Sequence, residues 1–213
     1  MKLTIDDVKA FANASFSKSR GSHDWEHTRR VYALCMHIGE VEGGEMEVLK
    51  IAAYLHDVGR SAQDESNGII CHAQKGAEMA DALLDGQTVT PEQKTNILHC
   101  IRSHRFRGNQ QPETLEAKIL FDADKLDSIG AIGIARAFQF AGEVGAKFHN
   151  PSVRPEETRP YTEEDTGYRE FKLKLSKIKD RMLTAEGRRM AEDRHATMEQ
   201  YFERFLQEYE GKR

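Results

Sequence analysis

Residues 45–59 read EMEVLKIAAYLHDVG. Val48, Leu49, Ala52 and Leu55 recur at the three-to-four-residue spacing of one helical face, which predicts a helix from about Glu45 to Val58 with Gly59 as its C-terminal cap. His56 follows Leu49, Ala52 and Ala53 by seven, four and three residues, so it projects from the same apolar side. Asp57 comes next. Polar, ionisable groups at the inner end of an aliphatic helix carry a desolvation cost that only a partner can offset.

Outward from this stretch the helical spacing continues. Upstream, a helix from about Trp25 to Val41 has Val31, Leu34, Cys35 and Ile38 as its inner stripe, and Gly43-Gly44 follow it. Downstream, a third helix begins near His72 and runs to Leu84. A fourth opens at Thr90-Pro91-Glu92-Gln93, where Thr90 caps, Pro91 suits the first turn and Gln93 completes a capping box; it should reach about His104. A fifth starts at Pro112-Glu113 and carries Leu115, Ile119, Leu120, Ala123 and Leu126. No period-2 segment bounded by hairpin turns is found, so the expected fold class is all-α.

Three of the five prolines, Pro151, Pro155 and Pro160, fall in an aperiodic polar stretch from about 142 to 166, which reads as one long ordered loop or lid. After it, Tyr168–Leu183 and Glu186–Tyr209 form two amphipathic helices. At 213 residues the chain is expected to be a single domain over 1–213, with a core at about 20–140 and C-terminal helices at about 167–210. The three cysteines show no C-x-x-C spacing and read as buried small apolar side chains rather than a disulfide scaffold or thiolate zinc site. With no apolar run of membrane-spanning length and no signal-peptide layout at the start, a cytoplasmic protein without membrane association is expected. A net charge of −4 gives no bulk attraction for a nucleic-acid polymer, so phosphate binding must be local.

The chemistry rests on where polar residues meet apolar stripes. His27 precedes Val31, Leu34 and Ile38 by four, seven and eleven residues, and Asp124 follows Ala117, Leu120 and Phe121 by seven, four and three. With His56-Asp57, three helices each aim a possible metal ligand at the core. Two nitrogen and two oxygen donors suit a first-row divalent ion. Each residue alone is more simply a satisfied core histidine or a solvated or capping aspartate; the coincidence on three helices favours the metal.

The order His27 in SHDWEHTRRV, His56-Asp57 in AAYLHDVGR, and Asp124 in ILFDADKLDSIGAIG resembles the signature of the HD superfamily of metal-dependent phosphohydrolases. HAQKGAEMA, LHCIRSHRFR and AEDRHATMEQYFERF extend the likeness to the small, single-domain bacterial members. The resemblance implies an HD-domain helical bundle with a C-terminal helical hairpin, and a divalent ion held by His27, His56, Asp57 and Asp124. Mn²⁺ is the preferred expectation, with Mg, Fe, Co, Ni or Zn as alternatives. It further implies hydrolysis of a small phosphorylated substrate, with a nucleotide the expected class, pyrophosphohydrolysis of nucleoside triphosphates the narrower expectation and a monomer or homodimer the working form.

In two-metal members of the HD-GYP type, histidines placed like His72 and His104 bind a second ion and the aspartate of the His-Asp pair bridges. This chain has Ser103 where those proteins pair a second histidine, and no GYP triplet. His72 and His104 are therefore second-site ligands or else phosphate donors and proton carriers; with Asp57 and Lys125 they form the expected catalytic set. Arg30, Arg60, Lys75 and Arg105 gather near the candidate ligands and are the expected phosphate contacts. Asp127, one turn past Asp124, is placed to orient a ligand or the attacking water. Glu192-x-x-His195 reads as a solvent face, His99 as structural, His23 as a rim residue or a helix start, and His149 as part of the loop that is expected to select substrate. Two other readings remain: a di-iron oxygenase, which needs both His72 and His104 as ligands, and a nucleotide sensor without turnover.

Overall fold

The computed structural model describes residues 3–16, 25–105 and 110–213. Among these the secondary structure is helical, with no strand: α1 (Ile5–Ser15), α2 (Trp25–Glu42), α3 (Met46–Leu55), α4 (Arg60–Glu65), α5 (His72–Leu84), α6 (Pro91–Ser103), α7 (Leu115–Leu126), α8 (Gly130–Glu143), α9 (Gly167–Leu173) and α10 (Ala185–Tyr209). None of these helices is long and apolar enough to cross a membrane. The chain divides into two compact units, Met1–Asp124 and Lys125–Arg213.

In the first unit α3 is the centre. Val48, Leu49, Ile51, Ala52, Ala53, Tyr54 and Leu55 are all buried, the pattern of a helix enclosed on every side. It packs against α1, α2, α5 and α6. Leu49 and Leu55 are fully buried, each contributing about 1.5–3 kcal/mol of hydrophobic stabilisation. Glu116, on the first turn of α7, ties neighbouring elements together: its carboxylate accepts from the Glu45 backbone N–H at 2.8 Å and from Asn96 Nδ2 at 2.9 Å. Burial works against that charge, but these donors hold its pKa below the ordinary carboxylate value.

α3 ends at Leu55 with His56 as its C-cap, three residues sooner than the periodicity suggests, and Gly59 is the N-cap of α4 rather than the end of the preceding helix. The reason is a close approach. A Cβ on Gly59 would lie 2.3 Å from the His72 carbonyl oxygen and 2.6 Å from the Gly76 nitrogen, so only glycine lets the start of α5 pass this turn. The capping box at Thr90 and Gln93 is present as read from the sequence. Cys35 and Cys100 are buried, whereas Cys71, expected to be buried, is exposed at the start of α5, its Sγ 3.2 Å from Arg105 Nη1.

In the second unit α8 and α10 pack together, with Phe138 against Phe202 and Phe205 and Phe171 stacked on Phe202 at 4.5 Å. The expected helix over Tyr168–Leu183 is only α9; it breaks at Lys174 and continues as 3₁₀ turns at Leu175–Lys177 and Lys179–Arg181. Five basic residues against one acid between 172 and 181 oppose a continuous helix there. Before α9, residues 144–166 are irregular apart from a 3₁₀ turn at Pro155–Glu157. Buried Arg169 clasps this segment, donating to Asp165 Oδ1 at 2.7 Å, to Thr158 Oγ1 at 2.5 Å and to the Thr158 carbonyl at 3.2 Å.

Candidate metal centre

Six side chains from separate parts of the first unit converge in its interior. His27 from α2, His56 at the end of α3 and Asp124 from α7 form one group, with Asp57, His72 and His104 beside it; within each group one ligand atom per residue lies within 4.8 Å of the others. His27 Nε2 stands 3.3 Å from Asp124 Oδ1 and 3.4 Å from His56 Nε2. Asp57 Oδ2 is 3.9 Å from both His27 Nε2 and His56 Nε2, and Oδ1 is 3.1 Å from His72 Nε2 and 3.5 Å from His104 Nε2. His72 and His104 meet Nε2 to Nε2 at 3.1 Å. The two oxygens of Asp57 thus face the two groups. Exposure of the side chains is 0–3%, except for Asp124 at 15%.

Local hydrogen bonds set the donor character of these rings. The Ala53 carbonyl can only accept, so His56 Nδ1, 2.8 Å away, carries the proton. His104 Nδ1 is held in the same way by the Ile101 carbonyl at 2.6 Å. A neutral ring so held turns an Nε2 lone pair inward. Burial pushes the pKa of His56 down to about 4 and that of His72 down to about 2. Burial opposes the charge of Asp57, yet Arg60 and the surrounding imidazoles hold its carboxyl well below the usual range. Neutral imidazoles and ionised carboxylates are what a divalent cation requires.

The spacing fits as well. Ligands bonded at about 2.0–2.2 Å to one ion stand roughly 3–3.5 Å apart in tetrahedral or octahedral geometry, close to the distances within each group. Lone pairs and carboxylate oxygens directed at one another in a dry interior repel unless a cation lies among them. The residues present therefore fit a divalent metal.

The basic residues are placed less uniformly. Arg60 Nη2 lies 3.0 Å from both oxygens of Asp57 and so braces the carboxylate. Arg105, directly after His104, reaches Cys71. Lys75, one turn past His72, is 3.3 Å from Glu78. Arg30 is half-buried one turn past His27, and Lys125 directly follows Asp124 in the last turn of α7. Asp127 is buried and accepts from Arg136 Nη1 at 2.6 Å. His99 Nε2 accepts from the Glu113 N–H, a structural role as the sequence suggests. His195 is not on a solvent face: its side chain is only 8% exposed and lies 3.2 Å from Glu199. His149 sits edge-on to Tyr168, Phe205 and Tyr209, beside a cleft of about 300 Å³ that Arg154, Thr158 and Arg169 also line, within the second unit. His23 lies outside the described residues. The sequence reading overlooked Gln63, whose Oε1 is 2.8 Å from His72 Nδ1; a polar residue four past Gly59, in a stretch without an apolar stripe, was the available signal.

The HD-domain family model matches residues 24–129. The YpgQ protein of Bacillus subtilis is 31% identical over 97% of this chain and 94% of its own length. Among solved structures, an HD-superfamily hydrolase from Bacillus thuringiensis superposes with a TM-score of 0.76 at 32% identity, covering 97% of this chain and 96% of that one. B. subtilis YpgQ solved in complex with ADP superposes with a TM-score of 0.73 at 28% identity, covering 96% and 93%. With the His, His-Asp and Asp positions gathered at one buried point in a helical fold shared along nearly the whole length of these relatives, the chain belongs to the HD superfamily.

Proposed function

We propose that this protein is a metal-dependent phosphohydrolase acting on a small phosphorylated substrate, a nucleotide, with the anhydride bonds of nucleoside triphosphates as the narrower assignment. The observation that carries the reading is the convergence of His27, His56 and Asp124, one ligand atom from each within 4.8 Å of the others, with Asp57 Oδ2 3.9 Å from both histidines. Kinship with an HD-superfamily hydrolase and with a protein solved with ADP supports hydrolysis and a nucleotide.

When bound, a divalent cation, Mn²⁺ by preference, supplies Lewis acidity towards a phosphoryl oxygen and makes water acidic enough to ionise near neutral pH. The chain's own residues supply the rest. Asp57 and Asp124 bring the negative charge, and His27 and His56 bring nitrogen donors. Arg60 keeps Asp57 ionised and oriented. Arg30, Lys75, Arg105 and Lys125 neutralise and position the phosphates, the main requirement of phosphoryl transfer. With one ion bound, His72 or His104 assists proton movement at the reacting oxygen.

A second reading has its own observation: Asp57, His72 and His104 form a complete trio of donors beside the first. In this reading Asp57, His72 and His104 would hold a second divalent ion, which would supply the two-ion chemistry of a dinuclear hydrolase or of a di-iron oxygenase.

The test is a screen of phosphorylated metabolites with added divalent ions, run on the wild-type and Asp57→Ala proteins. Ion-dependent phosphate or pyrophosphate release that vanishes in the variant is expected. Equal turnover by both proteins rejects the site. Nucleotide binding without turnover supports a sensor, and iron-dependent oxygen uptake supports the oxygenase.

A further inference from the structure

The six-residue helix α4 has no buried residue and no apolar stripe, yet it contacts the centre twice. Arg60, its first residue, holds Asp57. Gln63, one turn later, holds His72. Gln63 Oε1 lies 2.8 Å from His72 Nδ1 and 3.4 Å from the His72 backbone nitrogen.

This double contact determines the proton's position. A backbone N–H can only donate, so the Gln63 atom facing it is the carbonyl oxygen of the amide. The same oxygen faces Nδ1, so Nδ1 must donate as well. A neutral His72 ring then presents Nε2 as a bare lone pair, 3.1 Å from both Asp57 Oδ1 and His104 Nε2. Gln63 is itself fixed: its N–H donates to the Gly59 carbonyl at 3.3 Å and its carbonyl accepts from the Gly68 N–H at 2.8 Å. The close passage of α5 over Gly59 brings His72 within reach.

We infer that Gln63 is a positioning residue that fixes the Nδ1–H tautomer of His72, and thereby makes the Asp57–His72–His104 trio competent to hold a second divalent cation. The part concerning the cation rests on the two-ion reading above; the tautomer does not. His56 and His104 obtain the same fixation from backbone carbonyls, whereas His72, at the first position of its helix, has no preceding turn to supply one and depends on a side chain from another element.

The experiment uses the full-length protein with ¹⁵N-labelled histidine, wild type, Gln63→Leu and Gln63→Glu, with His72 assigned from a His72→Asn variant. In metal-free protein, long-range ¹H–¹⁵N spectra should show a protonated Nδ1 and an unprotonated Nε2 for His72 in the wild type and in Gln63→Glu, whose carboxylate still accepts. Gln63→Leu should give mixed or Nε2–H signals while its circular dichroism and the His56 signals stay unchanged. Calorimetric titration with Mn²⁺ should then show one site of the leucine variant weakened about 10–100-fold, with recovery in the glutamate variant. An unchanged His72 tautomer in Gln63→Leu overturns the inference. The expected tautomer change in a protein that binds only one Mn²⁺ per chain, equally well in all variants, overturns the two-ion part and leaves the tautomer assignment standing. A leucine variant that fails to fold shifts the decision to Gln63→Glu and Gln63→Asn: loss of the Nδ1–H signal in the shorter amide, with retention in the carboxylate, is the expected result, and identical spectra overturn it.

Discussion

Gly59→Ala isolates the contact on which the geometry of the centre depends. Gly59 has φ −83°, a value alanine adopts without strain, so the change acts through space alone. The added methyl would stand 2.3 Å from the His72 carbonyl oxygen and 2.6 Å from the Gly76 nitrogen, where ordinary contact begins at 3.4 Å. Both neighbours are backbone, so the start of α5 has to withdraw by roughly 1 Å rather than rotate a side chain aside. Overpacking of this kind costs about 1–3 kcal/mol. At roughly 2–4 °C per kcal/mol for a chain of this size, Tm should fall by about 2–12 °C. The same withdrawal lengthens the 2.8 Å Gln63–His72 and 3.1 Å His72–Asp57 contacts, so Mn²⁺ affinity should drop with it. Differential scanning calorimetry and calorimetric titration read the two effects. A variant with wild-type Tm and wild-type metal binding would refute the claim that α5 is seated on this glycine.

The opposite sign is expected at Gly142 near the end of α8, where a Cβ would meet nothing within 4 Å. Gly142→Ala should stabilise the protein by about 0.5–1 kcal/mol in urea melts, and a loss there would contradict the space seen around it. Metal-free protein should lose stability in acid. The folded-state pKa of His56 is held at about 4 by burial, below its ordinary 6.5, so the unfolded chain binds more protons between those values. The stabilisation is then present above pH 6.5 and disappears as pH falls towards 4, on the order of 3 kcal/mol from this residue. Asp57, held below the usual carboxylate range, extends the loss below pH 3.8. Urea melts at pH 7.5 and 5 should differ accordingly in the wild type and less in His56→Gln; a flat profile in the wild type would count against a buried neutral imidazole.

The sequence made the centre legible wherever a polar residue interrupted an apolar stripe. His27, His56 and Asp124 sit at helical spacing from Val31, Leu49 and Leu120, and burial of those stripes carries the three side chains inward. The start of α6 was readable for a different reason: the capping box at Thr90 and Gln93 is local chemistry. α4 was not readable. Arg-Ser-Ala-Gln-Asp-Glu has no hydrophobic period, and its helix exists because flanking backbone closes it: the Asp57 carbonyl accepts from the Arg60 N–H and the Gly68 N–H returns to Gln63. Gly59 was noticed, but as punctuation, since the neighbour that requires a glycine there arrives from α5, thirteen or more residues along the chain. Cys71 was misread because composition says nothing of which cysteine lies on a surface, and the break at Lys174 because helix-forming residue types mask the crowding of like charges.

The rings of His56 and His104 close the ends of α3 and α6 by donating to carbonyls of the last turn. Each residue is therefore a lid on its helix as well as a candidate ligand, and alanine at either position strips both at once, leaving an acceptor stranded in a dry interior. A dead alanine variant would report a frayed helix end as readily as a lost donor. Glutamine or asparagine, whose amide nitrogen can still reach back to the stranded oxygen, separates the two, and scanning this family with amides instead of alanine would sort ligands from scaffolding.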